Sequence, residues 1–309
     1  MYLDKIKRFL FKNYFEKKLF MLGVSHCLKM RPLYKEIKKI SDVEFKIFSQ
    51  NGEDGILDYI SYSLKLDRPK FVEIGIGDYS ESNTRFIFER TSTKGMVIDC
   101  IENLEDKIKK RIKIWKGDLK IINEKIDKEN CIELLNQNNM LEDLDLFSLD
   151  IDGIDYWILK KLPKYFSKIV VLEYNPTFGY DLEVTVPYSK DFVRNKYHPS
   201  NLCFGMSFKA AINIMKEKGF YFIGSNYLKN NAFFVSDKFK KDIYFEKLQI
   251  DMSKLNTESN FRESRDLNNI LTYLSGKDKI KEILNCEVVN LEKNINKLVK
   301  INELVSFNK

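Results

Sequence analysis

The chain has 309 residues, of which 44% are hydrophobic and 13% aromatic, with 52 Lys/Arg against 45 Asp/Glu and only two histidines. That length and apolar content can bury a full core in one large domain with additions, or in two small ones, so a globular protein is expected. Five cysteines (Cys27, Cys100, Cys131, Cys203 and Cys286) without a C-x-x-C pair suggest neither a disulfide framework nor a thiolate zinc site, and they fit a reducing cytoplasm.

No run approaches the ~20 apolar residues of a membrane span. The stretch "LFMLGV" (19–24) is shorter than a secretory apolar core, and His26 stands where a lipoprotein signal needs a small residue before Cys27. A soluble cytoplasmic protein is expected. The net charge of +7 is concentrated at the start. Residues 1–40 hold eleven Lys/Arg against three acids (Asp4, Glu16, Glu36), a local +8, so the other 269 residues are about neutral. Leu3, Ile6, Leu10 and Tyr14, with Phe11 and Phe15 beside them, recur at helical spacing, which predicts an amphipathic basic helix over the first twenty residues. Such a helix either docks on the domain with a solvated outer face or touches an anionic partner, such as the inner face of the membrane.

From about residue 50 strand and helix patterns alternate. "KFVEIGIG" (70–77), "GMVIDC" (95–100), "LKIINEKI" (119–126), "LDLFSLDIDG" (144–153) and "KIVVLEYN" (168–175) read as strands, with helices in "SNTRFIFERT", "CIELLNQNNM" and "DYWILKKLPKYF". Continuous apolar strands separated by helices predict a doubly wound, mostly parallel α/β sheet. "GFYFIGSNYLKNNAFFV" (219–235) holds two strands too close together for a helical crossover, so an antiparallel hairpin should close that sheet. At the C-terminus Leu284, Val288, Leu291, Ile295, Leu298, Asn302 and Val305 follow a heptad spacing, which predicts a helix folded on the domain or a homodimer seam.

Ligands of such sheets sit at the carboxyl ends of the strands. The first strand ends in Glu73, Gly75, Gly77 and Asp78, and Ser80, Ser82 and Asn83 are good caps for the next helix. Ser80 replaces the third glycine of G-x-G-x-x-G, which argues against a pyrophosphate and hence against NAD. Asp99, 24 residues beyond Gly75, can accept hydrogen bonds from ribose hydroxyls. "SLDIDGIDYW" (148–157) then crowds Asp150, Asp152 and Asp155, and Glu173 and Asn175 end the neighbouring strand. Hard oxygen ligands from two strand ends suit Mg²⁺ or another divalent cation, with Asp150, Asp152, Glu173 and Asn175 as ligands. The alternative is that Asp155 caps the following helix, Asp152 makes an Asx turn with Gly153, and one acid serves as general base.

"FSQNGEDGIL", "FVEIGIGDYSESNT", "GMVID", "SLDIDGIDYW", "VVLEYNPTFG" and "NNAFFV" together resemble the FkbM-type S-adenosylmethionine-dependent methyltransferases, over residues 46–236. The resemblance implies a Rossmann-like class I methyltransferase fold over 46–240; it does not cover the tails, which read from the sequence as a basic helical extension at 1–45 and a helical C-terminal extension at 241–309. It also implies that Glu73, Gly75 and Gly77 line the methionine part of the cofactor, Asp99 its ribose and Asp150 the methyl-transfer cleft; Asn83, at the start of the next helix, is a further candidate for the cofactor site. Gln50 and Asn51 would then reach the amino-acid end of the cofactor, unless the segment only caps the helix "EDGILDYISYSL".

The implied activity is O-methylation of a sugar or sugar-linked group in a surface polysaccharide or its precursor. Asp152, Asp150, Glu173 and His198 are the candidates for the base, and "PTFGYDLEVTVPYSKDF" (176–192), with Tyr174 just before it, supplies aromatics for an acceptor pocket or for packing. A non-catalytic nucleotide-binding or assembly protein and a NAD-dependent oxidoreductase are the rival readings. Nucleic acid is not an expected partner, since the basic helix carries no RNA-reading motif.

Overall fold

The computed structural model describes residues 2–250, 259–260 and 262–305. In chain order the elements are α1 (Tyr2–Met30), α2 (Glu53–Ser63), β1 (Phe71–Ile74), α3 (Arg85–Thr91), β2 (Lys94–Asp99), α4 (Leu104–Arg111) and β3 (Asp118–Asn123). Then come α5 (Cys131–Gln137), β4 (Leu146–Leu149), α6 (Asp155–Lys161), β5 (Ile169–Glu173), β6 (Val184–Thr185), α7 (Arg194–Tyr197) and α8 (Phe208–Glu217). The chain closes with β7 (Phe220–Ser225), β8 (Asn231–Ser236), α9 (Ile243–Glu246), α10 (Lys277–Glu282), β9 (Glu287–Asn290), β10 (Lys297–Lys300) and α11 (Ile301–Leu304).

A seven-stranded sheet in the order β3-β2-β1-β4-β5-β8-β7 forms the centre. Its first five strands are parallel, whereas β8 runs antiparallel to both β5 and β7. The architecture is therefore α/β with a mostly parallel sheet closed by a hairpin. Alternate side chains of each strand enter different cores, as a pleated strand dictates. Val72, Ile74, Phe147, Leu149, Val170 and Leu172 pack with α5, α6 and α8, while Phe71, Leu146, Ile169 and Val171 pack with α2 and α4. Buried on both faces, these strands are apolar apart from Glu73, Ser148 and Glu173 toward their carboxyl ends. The closing hairpin is held by Asn226, whose Oδ1 accepts from the backbone of Asn230 and Asn231 at 3.1 Å each.

Two short 3-10 turns, Arg31–Glu36 and Ile40–Val43, follow α1 and send Tyr34, Ile40 and Val43 into the core beneath α2. The anchor is Asp58 on α2, fully buried, which pairs with Arg31 at 2.8 Å and Arg90 at 2.7 Å and accepts from the Tyr34 hydroxyl at 2.8 Å. Three charge-assisted contacts offset the desolvation of one carboxylate and hold its proton affinity below the usual range.

The C-terminal helix and its seam are not formed. β9 and β10 make an antiparallel hairpin, and β9 also pairs with β6 to give a second, three-stranded sheet. Val288 lies opposite Val299 across the hairpin, so β-branched residues pack as a cross-strand pair where a heptad would stack them on one helix face. Val288 is buried, yet Ile295 and Leu298 are about half exposed, which leaves no continuous stripe. The sequence argument for a homodimer falls with the seam. Phe178, Val184, Leu202, Val288 and Ile301 form the small core of this second sheet. Among the described residues no helix is long and apolar enough to cross a membrane.

Candidate functional site

A cleft of about 620 Å³ opens at the carboxyl ends of β1, β2 and β4, in the size range of small-molecule sites. Its floor is the turn after β1, its sides are the ends of β2, β3 and β4, and Lys190, Phe192 and Val193 border it from the segment between β6 and α7.

The wall formed by β1 and β2 is built around carboxylates that backbone amides have claimed. Glu73 is 4% exposed and accepts from the Ser82 hydroxyl at 2.6 Å, from the amides of Asn83 at 2.8 Å and Thr84 at 3.0 Å, and from the Thr84 hydroxyl. Burial raises its proton affinity and these bonds oppose the rise. Glu73 thus moulds the "SESNT" loop, and its two oxygens are occupied there. Asn83, set by that loop, lines the cleft and donates to Ser148 at 3.0 Å. Asp99 accepts from the amides of Gly77 at 2.7 Å and Ile101 at 3.2 Å while remaining at the cleft surface. Gly75 has φ +86°, and a Cβ there would lie 1.6 Å from the Asp150 carbonyl, so this glycine lets β1 and β4 end against each other. Gly77 has φ +55° and open space around its α-carbon, which leaves backbone bare toward the cleft.

Gln50 lines the cleft, whereas Asn51 does not; its amide donates to Glu53 at 2.8 Å. The segment around them is fixed by Asp54, whose Oδ2 accepts from the amides of Ile47, Phe48 and Ser49 at 2.6, 2.7 and 3.0 Å, while the Ser49 hydroxyl accepts from the Asp54 amide. Ser49, not Asn51, therefore serves the start of α2.

The carboxylates at the ends of β4 and β5 differ, and of them Asp150 and Asp152 line the cleft while Asp155 and Glu173 do not. Asp155 belongs to the fold, since it is 3% exposed and accepts from Ile151 N and Gly153 N at 3.0 Å each. Burial pushes its pKa up to about 6 against those bonds. Asp155 thus ties the turn before α6, and Asp152 makes no Asx turn, because its carboxylate is met by Arg194 and the Ile154 amide does not donate to it. Asp150, Asp152 and Glu173 converge instead, each offering a carboxylate oxygen within 4.8 Å of the others. Asp150 and Glu173 bring two carboxyl groups side by side, with no cationic side chain among the described residues between them. Burial first and then neighbouring negative charge drive both well above the usual carboxylate range. Asp152 is exposed, has φ +55°, and pairs with Arg194 at 2.6 Å. Arg194 in turn lies 3.7 Å over the Phe204 ring.

Two expected residues stand apart from this group. Asn175 is fully buried, with its amide nitrogen on the carbonyls of Leu202 and Phe204 at 2.8 and 3.0 Å and its oxygen accepting from Thr177 N at 2.9 Å. It shapes the loop after β5 and has no ligand atom to spare for a cation. His198 does not line the cleft; its Nδ1 meets the Ser200 hydroxyl at 2.7 Å, and burial lowers its pKa. Tyr174 and Phe178 are buried packing residues, and Tyr188 lies under the Lys128 ammonium at 3.6 Å. Sequence reasoning missed Arg194, which is 42 positions from Asp152 and carries no local pattern.

Charge completes the picture. Glu73, Asp78, Glu81, Asp99, Glu124, Asp150 and Asp152 line the cleft against two lysines, Lys125 and Lys190, which pair with Asp191 and Asp127 at 3.3 Å each, while Asp78, Glu81 and Asp152 pair with Arg111, Lys46 and Arg194 at 2.7, 3.4 and 2.6 Å, so that Glu73, Asp99, Glu124 and Asp150 give the cleft its acidic character. An acidic cleft on a basic protein favours a cationic ligand over a phosphorylated one. No family model and no curated protein matches this chain.

Proposed function

We propose that the chain is an S-adenosylmethionine-dependent O-methyltransferase of the Rossmann-like class I type. The observation that carries this reading is the acidic cleft at the carboxyl ends of β1, β2 and β4 in a sheet of order β3-β2-β1-β4-β5-β8-β7. The cofactor bears a sulfonium and an ammonium against one carboxylate, so it is a net cation and suits that field; a dinucleotide pyrophosphate does not. The resemblance of "SQNGEDG" and "DIDGIDYW" to the FkbM-type enzymes supports the same reading and suggests a sugar or sugar-linked hydroxyl as acceptor.

In this assignment Asp99 receives the ribose hydroxyls, the bare backbone at Gly77 allows close approach, and Gln50 and Asn83 border the amino-acid end. Methyl transfer then needs an acceptor hydroxyl held in line with the sulfonium carbon and a group to take its proton. The hydroxyl oxygen bonds to the methyl carbon as the carbon–sulfur bond breaks, the proton passes to a carboxylate, and adenosylhomocysteine leaves. Asp150, which lines the cleft, is the group placed to accept it, and Glu173, with a carboxylate oxygen within 4.8 Å, helps to set its proton affinity. With Asp152 they also fit a hard divalent cation, which would lower the pKa of a bound hydroxyl.

Calorimetry with adenosylmethionine, adenosylhomocysteine and NAD tests the reading: the first two should bind and NAD should not. Asp99→Ala should weaken adenosylhomocysteine by tenfold or more, the loss of ~1.5 to 3 kcal/mol expected when a charged acceptor is removed. Binding of NAD alone, or unchanged affinity in a folded Asp99→Ala protein, refutes the assignment.

A further inference from the structure

Helix α1 has two apolar faces. One is docked: Gly23 and Cys27 are buried, Phe20 packs on Phe48 and Phe86, and Glu16 pairs with Arg85 at 2.8 Å. The other presents Tyr14, Met21 and Leu28, seven residues apart and therefore nearly in line, which are 61%, 66% and 62% exposed. Leu22, beyond the lysines at the edge of this stripe, and Leu33, on the 3-10 turn that follows the helix, are also exposed, at 65% and 53%. Lys17 borders this stripe on one side, and Lys18 and Lys29 border it on the other, with the Lys18 ammonium 5.4 Å from the centre of the Tyr14 ring.

Glu16 is the only acid between residues 14 and 35, and it is turned inward. The outer face is thus apolar along its centre, basic at its edges and free of negative charge. A merely solvated face has no reason to gather large apolar side chains in a row. A second copy of the same face would bring lysines against lysines with no acid to meet them, because a two-fold interface pairs a patch with itself. A phosphate backbone would leave the apolar centre unmatched.

We propose that this outer face of α1 docks on an anionic lipid bilayer, lying in the plane of the interface with Tyr14, Met21 and Leu28 at the acyl boundary and the lysines among the headgroups. The proposal is independent of the methyl-transfer reading.

The test is flotation of the full-length chain with vesicles of zwitterionic lipid alone or mixed with an anionic phospholipid. Binding should require the anionic lipid and weaken with added salt. Lys17→Glu with Lys18→Glu should reduce it by roughly twentyfold or more, and Met21→Gln or Leu28→Gln by about tenfold or more each. Trp115→Ser, at a 75% exposed site outside α1, should leave binding unchanged. Unfolding curves matching wild type certify that the variants are folded. Equal binding to both vesicle types, binding indifferent to all four α1 substitutions, or no vesicle binding overturns the proposal. So does a dimer that Met21→Gln dissociates in a chain that does not float.

Discussion

The acids at the ends of β1 and β2 and those at the ends of β4 and β5 are the same residue types put to opposite uses. At β1 and β2, Glu73 and Asp99 turn their oxygens to backbone amides, and the carboxylate is a component of the loop it shapes. At β4 and β5, Asp150 and Glu173 face each other, and Asp152 is met only from outside by Arg194. A carboxylate surrounded by amide donors is stabilised where it stands. Carboxylates that face one another are not, and they hold a proton or a cation between them. Crowded acids are therefore separable into scaffold and reactive groups by what meets their oxygens.

The sharpest way to break that contrast is Glu73→Ala. It strands buried donors of Ser82, Asn83 and Thr84 and should cost about 3 to 5 kcal/mol, read from urea unfolding. A loss below about 1 kcal/mol would remove Glu73 from the scaffold.

Next in size is a pH effect at Asp155. Its folded pKa of about 6 lies above the unfolded carboxylate value near 3.9, so the folded state binds more protons between the two. Its contribution is complete below about pH 4 and should decline by about 2 to 3 kcal/mol as pH rises through 6. Wild type compared with Asp155→Asn across that window should show the decline, because the amide does not titrate; parallel curves would contradict it.

Glu173→Gln sharpens the comparison from the other side. Removing one of two facing acids should leave stability unchanged or raise it by about 1 kcal/mol above neutral pH, while methyl transfer falls by a hundredfold or more. Mg²⁺ or Ca²⁺ should raise the melting temperature of wild type and not of this variant. If neither cation shifts wild type, the acids act as base alone. The smallest effect belongs to Asp152→Asn, which breaks an exposed pair with Arg194 and should change stability by less than about 1 kcal/mol. A larger loss would place Asp152 with the scaffold.

Much of this was legible in the chain. Continuous apolar runs marked β1, ended by glycine, and β2, ended by Asp99, and the short spacing between "GFYFIG" and "NNAFFV" required a hairpin. The crowding of Asp150, Asp152 and Asp155 marked a site. Their roles were not legible, because one turn of backbone sends Asp155 inward to Ile151 N and Gly153 N and leaves Asp152, three positions earlier, in solvent. Asn175 looked like a ligand until the loop after β5 brought the Leu202 and Phe204 carbonyls to its amide.

What the sequence determined by itself is local: periodicities, the glycines needed at φ +86° and +55°, the charge gathered in the first forty residues and the acids at the strand ends. Tertiary structure alone decided which acids face each other, that Arg194 meets Asp152 from 42 residues away, and that the C-terminal heptad spacing closes as a β-hairpin on β6. The physical reason is common to all three. A carboxylate's proton affinity and a β-branched residue's preference are set by the groups that reach them through space, and neighbours in sequence supply only some of those groups.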